Sequence, residues 1–264
     1  MPIPDDGYPL AAAVSPRVQV TDHTDSTNAD VVAAASRAPA EWPHLSLLLT
    51  TDQRAGRGRL DRSWTTPPGT ALAVSVLVRV KRVPDFARGW IPLIAGAAMT
   101  RAVAAQLLGS GHSATLKWPN DVLVDGLKVC GILAEVVPRH PDAVVVGAGV
   151  NTRMPRTDVP VETATSFFEM GMEADEDRLL ADYLTALDAQ LNALAESHGN
   201  AATAGVLAEI EAVCATIGRD VVVSLPDGAT LTGTALRLDS DGRLVVQAEQ
   251  GETAVSAGDV VHVR

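Results

Sequence analysis

Leu116-Lys117-Trp118-Pro119-Asn120-Asp121-Val122-Leu123-Val124-Asp125-Gly126-Leu127-Lys128-Val129-Cys130-Gly131-Ile132-Leu133-Ala134-Glu135-Val136-Val137 reads as chain doubling back on itself. Asp125-Gly126 between apolar runs marks a two-residue hairpin, because the tight turn that matches strand twist needs positive φ at both central residues. A strand therefore ends at Lys117-Trp118, Pro119-Asn120-Asp121 makes a turn, and the returning strand runs over 127–137. Alternation along that strand puts Lys128 on one face with Cys130, Ile132 and Ala134, its ammonium beside apolar surface. Such a cation suits a carboxylate or phosphate that loses its hydration. The plainer alternatives are an edge lysine that limits aggregation and an ordinary turn at Pro119-Asn120-Asp121.

Toward the N-terminus, 90–108 carries Leu93, Ala97, Thr100, Ala104 and Leu107 at helical spacing, with Pro92 acceptable in a first turn. The run 71–80 alternates Leu72, Val74, Val76, Val78 and Val80 with other mostly apolar residues, the pattern of a central strand covered on both faces. Shorter strands are expected at 45–50 and 17–24, and Asp25-Ser26-Thr27-Asn28 starts a helix that continues through 29–36. Toward the C-terminus come a strand at 143–146, the segment Gly147-Ala148-Gly149-Val150-Asn151, and helices at about 176–196 and 202–215. From Ile217 short strands are broken by Pro226-Asp227-Gly228, Asp239-Ser240-Asp241-Gly242, Glu249-Gln250-Gly251 and Ala257-Gly258-Asp259, and four or five strands in so short a span predict a small barrel. The boundary falls near Thr216, dividing 1–216 from 217–264.

The 264 residues suffice for a sizeable core, and 47% hydrophobic with 20% charged residues fits a globular protein. No Lys or Arg precedes Arg17, so the pattern of a secretory signal is missing, and no apolar run matches a membrane span. Cys130 and Cys214 lack metal or disulfide spacing, so a cytoplasmic protein without a side-chain metal site is expected. A net charge of -11 argues against non-specific nucleic-acid binding, and any positive cluster needs a local reason.

Such a cluster is Gln53-Arg54-Ala55-Gly56-Arg57-Gly58-Arg59-Leu60-Asp61-Arg62-Ser63-Trp64, inside a loop expected over 51–65. Its arginines, interleaved with glycines, make an anion site whose backbone can approach phosphate; a solvated basic turn is the alternative. No Walker A sequence follows. Gly147 to Asn151 lacks the third glycine and the βαβ setting of a dinucleotide loop, but glycines at a strand end beside a ligand, with Asn151 as donor and acceptor, remain open. Ser26, Thr27 and Asn28 serve as a helix cap or line a small polar pocket.

Taken together, these segments closely resemble the biotin protein ligase family, from about Val20 to Arg264. The family's Gly-Arg-Gly-Arg followed by Trp stands at Gly56 to Arg59 and Trp64, its Lys-Trp-Pro-Asn-Asp at Lys117 to Asp121, and its Lys-x-x-Gly-Ile-Leu-x-Glu at Lys128 to Glu135. The resemblance implies an α+β fold: a core like class II aminoacyl-tRNA synthetases, with a mixed sheet flanked by helices, then an SH3-like barrel. It implies ATP-dependent activation of biotin to biotinyl-5′-AMP and transfer to a lysine of a biotin carboxyl carrier protein domain of acetyl-CoA or a related acyl-CoA carboxylase, by a monomer or weak homodimer. Ser26, Thr27, Asn28, Gln53 and Gly56 are then biotin-site residues, completed by Arg57 and the Gly131 backbone. Lys128 meets the biotin carboxylate and the α-phosphate, with Arg57 and Arg59 also catalytic. Arg59, Arg62, Trp64, Lys117, Asn120, Asp121 and Asn151 serve ATP, whose phosphates carry Mg²⁺.

Three departures from the family pattern stand out: Asp61 for a glycine, which stiffens the loop, Arg54 for a neutral residue, and Cys130 for an alanine beside the biotin pocket. A lipoate or octanoate ligase is the related-fold alternative. A biotin-responsive repressor would need a winged helix, and fewer than 25 residues precede the core. A peptide- or single-strand-binding barrel would need aromatic residues, and 217–264 has no Phe, Tyr or Trp.

Overall fold

The computed structural model describes residues 7–59, 62–158 and 161–263. The fold is α+β: a seven-stranded mixed sheet flanked by helices, followed by a five-stranded antiparallel sheet. In chain order the elements are α1 (Pro9–Val14), β1 (Val18–Val20), α2 (Thr27–Arg37), β2 (Ser46–Thr50), β3 (Gly56–Arg57), β4 (Ser63–Trp64), β5 (Leu72–Arg79), α3 (Ile91–Gln106), β6 (Ala114–Lys117), β7 (Asp121–Val124), β8 (Leu127–Val137) and β9 (His140–Val150). Next come α4 (Glu176–Glu196), α5 (Val206–Val213), β10 (Asp220–Ser224), β11 (Thr230–Leu238), β12 (Leu244–Ala248), β13 (Gly251–Val255) and β14 (Asp259–His262). The large sheet is ordered β1-β2-β5-β9-β8-β7-β6, with β1 and β2 parallel. The small one is ordered β13-β12-β11-β10-β14.

Alternation sorts the large sheet's side chains onto two faces. Leu47, Leu49, Val74, Val76, Val78, Val144 and Val146 pack with the buried stripes of α3 and α4. Leu48, Leu77, Ala143 and Val145 meet Val31 and Ala35 of α2 on the opposite face. Ser26 caps α2, its Oγ accepting from the Ala29 amide at 3.4 Å, and Arg37 lies in the last turn where a cation suits the dipole.

Several boundaries differ from expectation for local reasons. The strand expected over 17–24 is continuous only at Val18–Val20, with a single parallel bridge from Thr24 to Gln53 beyond it, since it lies at the sheet edge and the chain then turns into the α2 cap. The helix expected from 202 begins at Val206, after Gly205 in the left-handed region. The strand at 143–146 extends to His140–Val150, so Gly147 and Gly149 lie inside a paired strand rather than at its end. Helix α1 has no strong pattern of its own; Asp177 accepts from the Leu10 and Ala11 amides at 2.9 and 2.8 Å.

Asp125 and Gly126 have φ of 50° and 84°, the two-residue turn expected. The strands it joins are out of phase, however. Asp121 and Val122 pair with Gly131 and Cys130, but Leu123 pairs with Lys128, so Val129 is the extra residue of a β-bulge. That single residue moves Lys128 off the Cys130–Ile132–Ala134 face and onto the face of Gly131, where a Cβ on Gly131 would stand 3.1 Å from the lysine Nζ. Cys130 instead enters the core, where burial pushes its thiol up to about 12, and it does not border the cleft described below.

The two sheets share one apolar core. Val221, Val223, Leu244, Val246 and Val260 join the cluster that contains Trp118, Leu116 and α3. Trp90 Nε1 donates to the Ser240 carbonyl at 3.0 Å and Trp118 Nε1 to the Gly242 carbonyl at 3.2 Å. Among the described residues no helix is long and apolar enough to cross a membrane.

Candidate active site

A cleft with about 160 Å³ of cavity space, open to solvent, lies on the α2 side of the large sheet. Its floor is β5, β8 and β9; its walls are the α2 N-terminus, the Gln53–Trp64 segment, Asn120 and Asp121, and Gly258 and Asp259 of the small sheet. Ser26, Thr27, Asn28, Gln53, Arg57, Arg59, Arg62, Trp64, Asn120, Asp121, Lys128 and Gly131 all line it.

One end is neutral and closely bonded. Gln53 Oε1 accepts from the Thr27 amide at 2.9 Å, and Asn28 Nδ2 donates to Glu135 Oε2 at 2.7 Å and the Leu133 carbonyl at 3.2 Å. Behind them Ser75 Oγ lies 2.8 Å from Thr27 Oγ1 and 2.6 Å from Asn28 Oδ1. The glycines of β9 make this possible. A Cβ at Gly147 would stand 2.3 Å from Asn28 Oδ1, and one at Gly149 would stand 2.6 Å from the Trp64 ring, so the indole lies directly on the strand.

The other end is charged. Arg57 pairs with Glu135 at 3.1 Å, Lys128 with Asp121 at 2.6 Å and Arg62 with Asp259 at 2.6 Å. Arg59 donates to Asn120 Oδ1 at 3.0 Å, and Asn120 Nδ2 donates to the Ile132 carbonyl at 2.7 Å. Burial holds the Arg59 guanidinium below its ordinary value, a sign that it stands partly out of water. Burial of the Asp259 carboxyl opposes ionisation, but the hydrogen bond from Arg62 and the charges of Arg62, Lys117 and Arg59 outweigh it and hold its pKa below the usual carboxylate range. Among the described residues, four cations face three carboxylates at this end, in a protein of net charge -11.

Within the loop expected over 51–65, β3 and β4 pair Gly56 with Trp64 and Arg57 with Ser63. Its arginines also do not act as one cluster. Arg54 turns away to Asp52 at 2.9 Å on the surface, so three of the four face the cleft. Asp61 lies outside the described residues, so its expected stiffening has no structural counterpart here.

Three expected site residues stand behind the cleft wall rather than in it. Gly56 lies under Gln53, where a Cβ would meet Nε2 at 2.3 Å. Asn151 is buried, its Nδ2 donating to the Thr165 carbonyl at 2.9 Å and its amide to the Val129 carbonyl at 2.8 Å beside the bulge. Lys117 turns toward the small sheet and acts on Asp259 and His262 through its charge. Sequence reading missed Asp259, taken for part of a turn, and Ser75, whose signal was a lone hydroxyl in the run Leu72 to Val78. Glu135 ends the Lys128–Glu135 motif, and the structure gives it the role of joint partner to Asn28 and Arg57.

Comparison with known proteins gives a consistent picture. Residues 20–151 match the Biotin/lipoate A/B protein ligase family and residues 216–263 the Biotin protein ligase C terminal domain. The chain is 38% identical over 250 residues to a biotin--[acetyl-CoA-carboxylase] ligase of Mycobacterium tuberculosis, covering 94% of this chain and 90% of that protein. It is 30% identical over 250 residues to the ligase of the same name from Paracoccus denitrificans, covering 90% and 97%. The fold matches biotin protein ligase from Aquifex aeolicus in complex with biotin and ATP, with TM-score 0.74, 24% identity, and 94% and 99% of the two chains covered.

Proposed function

The chain belongs to the biotin protein ligase family, and from that premise we propose how its cleft carries out the family's reaction. It is an ATP-dependent biotin protein ligase that makes biotinyl-5′-AMP and passes the biotinyl group to a biotin carboxyl carrier protein. The observation that carries the mechanism is the polarity of the cleft, neutral and tightly hydrogen-bonded at one end, cationic at the other.

The ureido ring belongs at the neutral end, against Ser26, Thr27, Asn28 and Gln53, with Arg57 and the Gly131 backbone closing the pocket. The valeryl chain then points along β8 toward Lys128. There a carboxylate must attack an α-phosphate, and bringing two anions together requires opposing charge in a site short of water. Lys128, placed over Gly131 by the bulge, meets both groups once Asp121 yields to them. Arg57 and Arg62 exchange their carboxylate partners for phosphate oxygens, Trp64 offers its ring to the adenine, and Asn120 holds Arg59 in place to meet phosphate as well. Asn151 and Lys117 act from behind, Asn151 by fixing the backbone at the bulge and Lys117 by adding positive potential.

No group of three or more His, Cys, Asp or Glu side chains that could hold a metal occurs among the described residues. Mg²⁺ fits as a companion of the nucleotide, lowering the charge on its phosphates, with the oxygens of Asn120 and Asp121 facing the same cleft. We read the core as class II aminoacyl-tRNA synthetase-like, with residues 1–216 forming the biotin and ATP domain, and 217–264 as an SH3-like barrel. The acceptor is proposed to be the carrier domain of an acetyl-CoA or related acyl-CoA carboxylase. A lipoate ligase is disfavoured by the matched C-terminal domain and by the named relatives.

The test is incubation with biotin, ATP, Mg²⁺ and a carrier domain, read by intact mass. One added biotinyl group on the carrier, absent without ATP, is expected. An unmodified carrier, with lipoate transferred instead, overturns the reading.

A further inference from the structure

The hydroxyls behind the neutral end have only one workable arrangement of protons. Asn28 is held by two acceptors, since its Nδ2 donates to Glu135 Oε2 at 2.7 Å and to the Leu133 carbonyl at 3.2 Å. Its Oδ1 must therefore face Ser75 Oγ, 2.6 Å away, and only Ser75 has a proton to place between them. Ser75 Oγ also lies 2.8 Å from Thr27 Oγ1. With the serine proton committed to Asn28, the proton between the two hydroxyls is that of Thr27. Gln53 Oε1 lies farther from Thr27 Oγ1, at 3.1 Å, and already receives the Thr27 amide at 2.9 Å. Donating to it instead would leave two hydroxyl oxygens lone pair to lone pair inside the core, a contact that buried polar groups do not sustain.

We infer that Ser75, a positioning residue that is fully buried and does not line the cleft, sets Thr27 Oγ1 as an acceptor toward the ligand and so selects a ring that presents N–H there over an isosteric ring that presents oxygen. The inference rests on the placement of the ureido ring against Thr27. The chain runs head to tail from the Glu135 carboxylate through the Asn28 amide and the Ser75 hydroxyl to Thr27, an ordering in which each bond polarises the next. Arg57, paired with the same carboxylate at 3.1 Å, ties that chain to the cationic end.

The experiment compares biotin with the two cyclic carbamate isomers, in each of which a ring oxygen replaces one ureido N–H, by calorimetric Kd and by adenylate formation. The wild type is expected to prefer biotin over one isomer by about 100-fold, because an oxygen facing an oxygen leaves both unpaired. Ser75→Ala frees the Thr27 proton for Gln53 Oε1 at 3.1 Å or, where a ring oxygen stands opposite, for the ligand, and should cut that preference by about 10-fold, with KM moving more than kcat. Ser75→Thr, which keeps the hydroxyl, should keep the preference, and in a Thr27→Val background Ser75→Ala should no longer change it. If Ser75→Ala does not fold, Ser75→Cys, a weak donor of similar size, serves the same comparison. Equal preference in the wild type and Ser75→Ala, or Ser75→Cys in its place, with biotin bound by both, overturns the inference alone. A wild type that does not bind biotin overturns the ring placement as well.

Discussion

The two ends of the cleft hold their side chains by opposite means. At the Thr27–Asn28–Gln53 end, short neutral groups are buried and each has a committed partner. At the arginine end, Arg57, Arg62 and Lys128 are partly exposed and paired with carboxylates that phosphate can replace; the side chain of Arg62 is 62% exposed and that of Asp259 37%. A buried hydrogen-bond network resists exchange because an orphaned partner is costly, whereas a surface ion pair contributes about 0–1 kcal/mol and is readily traded. The neutral end is thus suited to recognition and the charged end to a reaction in which partners must change.

The contrast can be broken most sharply at Lys128. Lys128→Ala should lower adenylate formation by roughly 10² to 10³, the scale of losing one charge-stabilising donor, with a smaller effect on biotin affinity. Single-turnover release of diphosphate measures this, and near wild-type rates would remove Lys128 from the chemistry.

Next in size is Gly147→Ala at the neutral end. Its Cβ would stand 2.3 Å from Asn28 Oδ1 and push apart a network that cannot re-form elsewhere. Biotin should bind about 10- to 100-fold more weakly while ATP binding changes little, a cost of the order of one or two orphaned buried groups. Calorimetry with each ligand separates the two; equal losses for both would mean that the ends are not independent.

Asp259→Asn should do the reverse, and gently. Freed from its partner, Arg62 becomes more available to phosphate, so ATP affinity should rise by about two- to five-fold, within the range of a surface pair, and biotin affinity should stay constant. Titrations at low and high salt would test this: a change that survives high salt speaks against an ion-pair origin.

The smallest effect is expected at the join between the sheets. Burial first, then the charges of Lys117 and Arg219, hold His262 below its ordinary value, and its Nε2 lies 3.1 Å from Thr216 Oγ1. Between the folded and unfolded values the unfolded chain binds more protons. The associated stability is therefore complete above about pH 6.5 and is lost as pH falls through the folded value. Melting from pH 7.5 to 5.5 should lower the Tm of the wild type more than that of His262→Gln; equal decreases would acquit the histidine.

Much of this was legible in the residues. The Asp125-Gly126 turn, the α2 cap at Ser26 and the long strand at β5 follow from local preferences that the core reinforces. Lys128 was placed on the wrong face because alternation assumes an unbroken register, and nothing in Lys128-Val129-Cys130 marks the extra residue. The β9 glycines were noticed but their purpose was hidden, since what they make room for, Asn28 and Trp64, arrives from distant parts of the chain. Asp259 was missed for the same reason; its partner Arg62 is 197 positions away. Local signals describe elements, whereas a site assembled between elements becomes visible only once they are packed.

The pooled interior of the two sheets also bears on how the molecule comes apart. Trp118, Leu116 and α3 lean on Val221, Val246 and Val260, and two indoles are bonded to carbonyls of the small sheet. The small sheet's Val221, Val223, Leu244, Val246 and Val260 are all packed into that shared interior, so heating should melt both layers in a single calorimetric transition. Cutting the chain near Thr216 would then yield an insoluble fragment rather than a slower ligase.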